Sequence, residues 1–197
     1  MLTDWSAACG ADDPVLVVPW SSPDGTLQWV DLREDPYAVN DIAEGEDHPA
    51  LLAALRALNG ARSPWFTAKC DVWTMDRDEL EATRDELLLD DEVATAGLAS
   101  YIDLLPRDRA LFASRHRTEQ MLYRVERALS EMPYSLAAAE LVMRPAVVEL
   151  DGTVAEGFAV TLYVRAVGVD EQEAALRWDE SLRAISAALR SRELLPS

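Results

Sequence analysis

Residues 141–189 read LVMRPAVVELDGTVAEGFAVTLYVRAVGVDEQEAALRWDESLRAISAAL and carry the clearest pattern in the chain. Apolar and polar side chains alternate from Phe158 to Val167, which is typical of a strand with one buried face. Asp170 and Glu173 follow with the spacing of a capping box, so a helix is predicted to begin there. This stretch therefore predicts a β-hairpin, turned at Asp151-Gly152, and a helix that packs against it.

The first strand of this hairpin, residues 141–150, contains Pro145. Proline has no N–H to donate to a neighbouring strand, so an edge strand or a bulge is predicted. A free edge could pair with a second copy of the chain across a two-fold axis, whereas the proline could equally serve to prevent such pairing. A homodimer is therefore one of two open alternatives.

Turn and capping residues divide the rest of the chain into short elements. The predicted elements are strands at 15–20 and 26–32, a helix at 48–59, a strand at 65–74, and helices at 76–89, 93–105 and 108–132. We therefore expect an α+β fold in ββαβ-ααα-ββα order, with a mainly antiparallel sheet of about five strands and helices packed on one face. The whole chain, 1–197, is expected to be one domain with a loose N-terminal segment at residues 1–13.

The charge of the chain is strongly negative. Thirty-six acidic residues oppose 18 basic ones, which gives a net charge of −18. This argues against binding to nucleic acid, where lysine and arginine must neutralise phosphates, and against docking on an anionic membrane. It favours a basic protein partner, although acidity can also serve solubility alone.

The cysteines and the first residues of the chain bear on cofactors and compartment. Cys9 and Cys70 do not form a CxxC pair, and no zinc, P-loop, GxGxxG or GxSxG motif occurs. No cofactor or metal is therefore predicted. The opening residues lack the basic and apolar parts of a signal peptide, and no apolar run reaches the roughly 18 residues that span a bilayer. A cytoplasmic location is expected.

The strand at 65–74 holds the candidate ligand site. Strict alternation would place Trp65, Thr67, Lys69, Asp71 and Trp73 on one open face, and Cys70 on the buried face. Two indoles that bracket a lysine and a carboxylate could stack on and orient a small polar ligand. The alternative is a solvent-facing surface whose indoles only cover apolar ground.

Two further groups of residues bear on this site. Tyr163 and Arg165 point to the same side of the following hairpin, and Arg144 shares that side if Pro145 leaves the register intact. The segment around the long predicted helix is rich in arginine. It could bind an anion, or more economically the acidic residues 34–47 of the same chain.

These patterns lead to two main functional hypotheses. The first is a non-enzymatic acidic interaction module, such as an adaptor, a chaperone or an immunity-like protein, because six tryptophans could anchor an interface and no catalytic motif is present. The second is a small-molecule-binding protein or enzyme that uses the sheet face around Lys69 and Asp71. A third, mimicry of nucleic acid, rests on charge alone.

Overall fold

The structure, a computed structural model, describes residues 1–45, 47–150 and 152–194. Within these residues six strands form one sheet: β1 (Leu2–Ala7), β2 (Leu16–Val18), β3 (Trp65–Thr74), β4 (Ala96–Pro106), β5 (Ala137–Leu150) and β6 (Thr153–Gly168). The α-helices are α1 (Pro49–Asn59), α2 (Arg77–Leu87), α3 (Arg109–Phe112), α4 (Arg115–Ser130) and α5 (Glu171–Leu189). The expected α+β class is confirmed.

The sheet is mixed, with the strand order β1-β5-β6-β4-β3 and β2 as a second neighbour of β5. The pairs β3–β4, β4–β6 and β5–β6 are antiparallel. Strands β1 and β2 both run parallel to β5. The sheet is thus mostly antiparallel, as predicted, but it has six strands rather than about five, and its β1/β2 edge is parallel.

The N-terminal segment, expected to be loose over residues 1–13, is instead ordered in its first half. Leu2–Ala7 forms β1 and pairs in register with Ala138–Met143. Trp5 packs against the main core. A six-residue strand in which only half of the residues are apolar gives a weak sequence signal, and its stability comes from a neighbour that is far away in sequence.

Strand β5 lies inside the sheet and its register with β6 is unbroken, so neither the edge position nor the bulge predicted for residues 141–150 occurs. It has β6 on one side and β1 and β2 on the other. Pro145 falls between Met143, where the pairing with β1 ends, and Ala146, where the pairing with β2 begins. The missing N–H therefore coincides with the interruption of the neighbouring edge, and this strand offers no free edge for a homodimer.

The helix predicted at 93–105 is also wrong, because Ala96–Pro106 forms β4 between β3 and β6. Ile102 and Leu104 are buried on one face of the sheet and Ala99 and Leu105 on the other. A strand that is buried on both faces gives a continuous apolar run, which periodicity cannot distinguish from a buried helix.

Helices α2 and α5 begin at the predicted caps, whereas α1 begins at Pro49 after His48, without the side-chain cap expected from Asp47. Asp76 and Glu79 form a complete capping box at α2, and Asp170 caps α5. The helix predicted over 108–132 is instead two helices, because the Ser114 side chain caps a new helix at α4.

The N-terminal hairpin is shorter than predicted. Its Ser22–Gly25 turn forms, with Gly25 at φ 73°. Only one bridge, Ser21 to Gln28, stands in place of a strand at 26–32. The corresponding second turn includes Asp151, which lies outside the described residues.

The two faces of the sheet differ. Helices α1, α4 and α5 cover one face, where the indole of the fully buried Trp178 donates to Ser100 Oγ at 3.0 Å. Helices α2 and α3 lie against the two ends of the other face, which corrects the expectation that all helices share one face. None of the described helices combines the length and apolar character that a bilayer crossing requires.

Candidate functional site

A β-bulge in β3 decides which of the predicted residues share a face. Thr67 pairs with Leu104 and Cys70 pairs with Ile102. Three residue steps along β3 therefore correspond to two along β4, and the extra residue belongs to β3. The bulge reverses the alternation between Thr67 and Cys70. Asp71 and Trp73 therefore lie on the face away from α1, α4 and α5, whereas Trp65 and Thr67, also predicted on that open face, lie on the helix-covered face.

Trp65 is accordingly not part of an open surface, and its predicted place beside Asp71 and Trp73 is wrong. It is 1% exposed, and its indole Nε1 donates to the carbonyl oxygen of Leu189 at 2.8 Å. The prediction assumed unbroken alternation along the strand. Because the bulge interrupts that alternation, the residues before it lie on the opposite face from the one predicted. Trp65 belongs to the core.

Buried Asn59, the last residue of α1, holds the bulge in place. Its Nδ2 donates to Thr67 Oγ1 at 2.7 Å and to the Leu55 carbonyl oxygen at 2.9 Å. Its Oδ1 accepts the backbone N–H of Thr67 at 3.0 Å. One amide side chain therefore satisfies both the backbone and the side chain of the residue at which the register shifts.

Two indoles from the N-terminal loop bind the outer side of the bulge. Trp29 Nε1 donates to the carbonyl oxygen of Thr67 at 3.2 Å, and Trp20 Nε1 donates to that of Ala68 at 2.9 Å. The Lys69 ammonium group lies 4.7 Å from the centroid of the Trp20 ring, a cation–π contact. The loop thus fixes Lys69 beside the bulge.

The uncovered part of the sheet, which we call the open face, carries a row of aromatic rings. Trp73, Tyr101 and Tyr163 stand on β3, β4 and β6 and are all partly exposed. The ring centroids of Trp73 and Tyr101 are 6.4 Å apart, and those of Tyr101 and Tyr163 are 6.1 Å apart. Three neighbouring strands therefore present one contiguous aromatic surface.

Carboxylates flank the two tyrosines along the same line across the sheet. Tyr101 is opposite Asp71 on β3, and Tyr163 is opposite Glu140 on β5. Glu140 is in turn opposite Asp4 on β1. The row across five strands therefore begins and ends with negative charge.

A polar network lies next to this row. Arg144 donates to Tyr163 Oη at 3.3 Å and to Thr161 Oγ1 at 3.1 Å, and the Thr161 hydroxyl donates to Asp103 Oδ1 at 2.6 Å. Asp103 and Thr161 are only 6% and 3% exposed. A chain of hydrogen bonds thus connects a buried carboxylate to a partly exposed guanidinium group.

Burial shifts the ionisation of this network. Burial raises the pKa of Asp103, and the Thr161 hydrogen bond and the charges of Lys69 and Arg144 oppose that shift only in part. Burial, together with the nearby Asp103 and Asp71, raises the pKa of Tyr101 to about 12. The tyrosine therefore stays neutral, while the carboxylate is destabilised in its charged form.

Replacing Asp103 with Asn should change how stability depends on pH. A carboxyl group whose pKa is higher in the folded protein ionises more readily when unfolded, so wild type should lose stability relative to D103N as pH rises from about 4 towards 7. Urea unfolding across this range measures the difference between the two proteins. Parallel profiles for the two proteins would contradict the assignment of a raised pKa to Asp103.

Helix α2 borders the open face at one end. The Arg165 guanidinium pairs with Glu86 of α2 at 2.9 Å, and Trp73 Nε1 donates to Glu79 at 3.1 Å. Tyr163, Arg165 and Arg144 therefore do share one face, as the sequence suggested. The charge of Arg165 is already paired within the fold, which limits its availability to a ligand.

Lys69 and Asp71 also line a cavity of about 440 Å³ at the β3 edge of the sheet. Trp20 and Tyr101 contribute aromatic walls, and Asp41 and Glu44 add two further carboxylates. Cys70 lines the same cavity, and burial raises its pKa to about 12. The thiol therefore stays protonated and is a poor nucleophile.

The most informative residues of the open face were missed from the sequence. Tyr101 and Asp103 lie on β4, which was predicted to be a helix, and Thr161 was not singled out on β6. A carboxylate in the apolar run LASYIDLLP, Asp103, was the available signal. In the described part of the chain, no group of three or more His, Cys, Asp or Glu residues could hold a metal ion.

No family model, no curated protein and no solved structure matches this chain.

Proposed function

We propose that this protein is an interaction module that binds a basic protein partner through the open face. The observation that supports this proposal is the row Asp4–Glu140–Tyr163–Tyr101–Asp71 across five strands, in which carboxylates flank partly exposed aromatic rings. Tyrosine and tryptophan are the side chains that most often anchor protein interfaces, because they bury a large area with few rotatable bonds.

The charges of the open face favour a basic partner. Arg165 is paired with Glu86, and Arg144 donates to two hydroxyl groups, so both cations are engaged within the fold. The Glu140 side chain has no hydrogen bond or ion pair with any described residue. A partner that brings lysine or arginine to this side chain would be attracted from a distance by the net charge of −18.

The test compares two double variants with the same change in net charge. D71R/E140R reverses charge on the open face, while E92R/E180R reverses two exposed carboxylates elsewhere. Partners retained by the immobilised wild-type chain would be identified by mass spectrometry, purified and titrated calorimetrically. We expect the open-face variant to weaken binding at least ~10-fold and the control to change it less than ~2-fold.

Equal losses in both double variants would show that only net charge matters, and the open face would then not be the interface. The proposal also fails if no basic protein binds wild type with defined stoichiometry. Circular dichroism of both variants ensures that a loss of binding is not a loss of folding.

The cavity at Lys69 and Asp71 favours a second candidate function, binding of a small polar molecule. Its volume of about 440 Å³ lies within the range of ligand pockets, and it combines an indole wall with charges of both signs. In this alternative Asp71 and Lys69 orient the ligand while Trp20 and Tyr101 contact its rings or carbon skeleton.

A thermal-shift screen against metabolites tests this alternative. A compound present at about 100 times its Kd should raise the melting temperature by several degrees, because it stabilises the folded state by about 2.7 kcal/mol. The shift should disappear in D71N and persist in Y163F, whose side chain does not line the cavity. If every active compound shifts both variants equally, the cavity is not the binding site.

A further inference from the structure

A second cavity, of about 320 Å³, lies at the end of the sheet opposite α2, and arginines surround it. Arg33, Arg107 and Arg109 line it, together with the rings of Phe66 and Phe112. We call it the arginine cleft. Three cationic side chains around one cavity are unusual in a chain with twice as many acidic as basic residues.

The three guanidinium groups are held in different ways. Arg107 donates to two carbonyl oxygens, those of Trp65 and Asn59, each at 2.8 Å, and has no ion pair with a described residue. Arg33 forms a bidentate pair with Asp31, with Nε 2.8 Å from Oδ1. The fold therefore fixes Arg107 and Arg33 in place without an exogenous ligand.

Arg109 differs from both, because it makes no side-chain hydrogen bond or ion pair with any described residue. Elsewhere on the neighbouring helix, arginines are paired locally, as Arg115 is with Glu119 and Arg127 with Glu131. Glu156 also lines the cleft but forms no ion pair with a described arginine. Arg109 is thus an available cation at the mouth of the cleft.

The floor of the cleft is apolar. Phe66 and Phe112 belong to one buried cluster, against which Val148, Leu150 and Ala155 also pack. The Arg33 guanidinium lies 5.0 Å from the centroid of the Phe66 ring, so this ring is already covered on one side by a cation. A cavity with an apolar floor and a cationic rim fits a molecule with a hydrophobic body and an anionic group.

Repulsion among the guanidinium groups of the arginine cleft also favours binding of an anionic group. Burial lowers the pKa of Arg107, and the neighbouring charge of Arg33 lowers it further. Asp31 offsets part of this repulsion, but two of the three arginines lack a carboxylate partner among the described residues. An anion in the cleft would relieve the repulsion and accept charge-assisted hydrogen bonds from guanidinium groups.

We propose that the arginine cleft binds a small organic anion, a carboxylate or phosphate attached to an aromatic or aliphatic body. Arg109 and Arg107 contact the anionic group, and Phe66 and Phe112 contact the body. The site is separate from the open face, so the proposal does not depend on the proposed protein partner.

Isothermal titration calorimetry tests whether binding requires both the anionic group and the apolar body. The four probes are phenyl phosphate, benzoate, inorganic phosphate and benzyl alcohol. We expect phenyl phosphate and benzoate to bind wild type, inorganic phosphate to bind more weakly, and benzyl alcohol to give no measurable heat at the same concentration. The proposal is overturned if neither aromatic anion binds, or if benzyl alcohol binds as tightly as phenyl phosphate.

The variant R109Q locates the site, and R77Q is its matched control. Arg77 is an exposed arginine at the start of α2, at the far end of β3 from the cleft. R109Q should weaken phenyl phosphate binding about tenfold, and R77Q less than about twofold. Equal losses in both variants would indicate nonspecific attraction and overturn the proposal.

Amide chemical shifts provide a readout that does not depend on affinity. Phenyl phosphate should perturb the backbone amides of Phe112 and Ala155, which lie at the cleft, and leave that of Tyr163 unchanged. Perturbations centred on Tyr163 would place the anion on the open face and contradict the assignment.

Discussion

Replacing Trp65 with Ala should lower the free energy of unfolding by about 4 kcal/mol, the scale measured when a fully buried large aromatic side chain is removed. The substitution would leave a large cavity beneath α5 and leave the Leu189 carbonyl oxygen without its indole donor. Urea denaturation followed by circular dichroism measures the loss.

Trp73 is the matched control, because it lies eight residues further along the same strand and on the other face. Its indole is partly exposed and contacts Tyr101 and Glu79. W73A should therefore cost no more than about 1 kcal/mol. Similar losses for the two variants would mean that the register shift between Thr67 and Cys70 is misplaced.

The N59A variant should lose about 3 kcal/mol of unfolding free energy, because a buried backbone N–H and a buried hydroxyl would lose their partners together. Both groups belong to Thr67, so the substitution acts on the bulge itself. The same urea titration measures the change, and the slope of unfolding free energy against urea concentration should stay close to that of wild type.

Two further variants separate the contributions of Asn59. Thr67→Val removes only the hydroxyl contact and should cost less than N59A. Asn59→Asp keeps an acceptor for the Thr67 N–H but removes the amide group that donates to Thr67 Oγ1 and to the Leu55 carbonyl oxygen. If N59A unfolds at the same urea concentration as wild type, this side chain does not hold the bulge.

Local patterns predicted the elements whose signals lie within a few neighbouring residues. The alternation from Phe158 to Val167 gave the long strand β6, and the caps at Asp76 and Asp170 gave the starts of α2 and α5. Each of these signals involves contacts within one turn or one pleat, which the sequence displays directly.

Elements that are stabilised by residues far away along the chain could not be predicted from local sequence patterns. Strand β1 owes its existence to β5, about 135 residues away along the chain, as its pairing of Leu2 with Ala138 shows. Strand β4 is buried on both faces, so its apolar run lacks the alternation that would have identified it. Pro145 was predicted to mark an edge strand or a bulge, but the interruption lies in the neighbouring strands.

The residues of the candidate site also divide into those that local patterns predicted and those that they did not. Asp71, Trp73, Tyr163 and Arg165 were expected on a sheet surface, and the fold brings these four to one face. Trp65 was assigned to the wrong face because a bulge inverts the alternation and leaves no recognisable pattern in the sequence. Tyr101 and Asp103 were not predicted as site residues because their segment was expected to be a helix.

The two indoles that donate to the carbonyls of Thr67 and Ala68 have a consequence for association between copies of the chain. Strand β3 ends the sheet, and an unpaired strand at that position can recruit a strand from another molecule and start aggregation. Trp20 and Trp29 occupy two of its carbonyl acceptors, and the bulge from Thr67 to Cys70 disturbs the spacing that an incoming strand would need. The N-terminal loop therefore protects the molecule against edge-to-edge polymerisation.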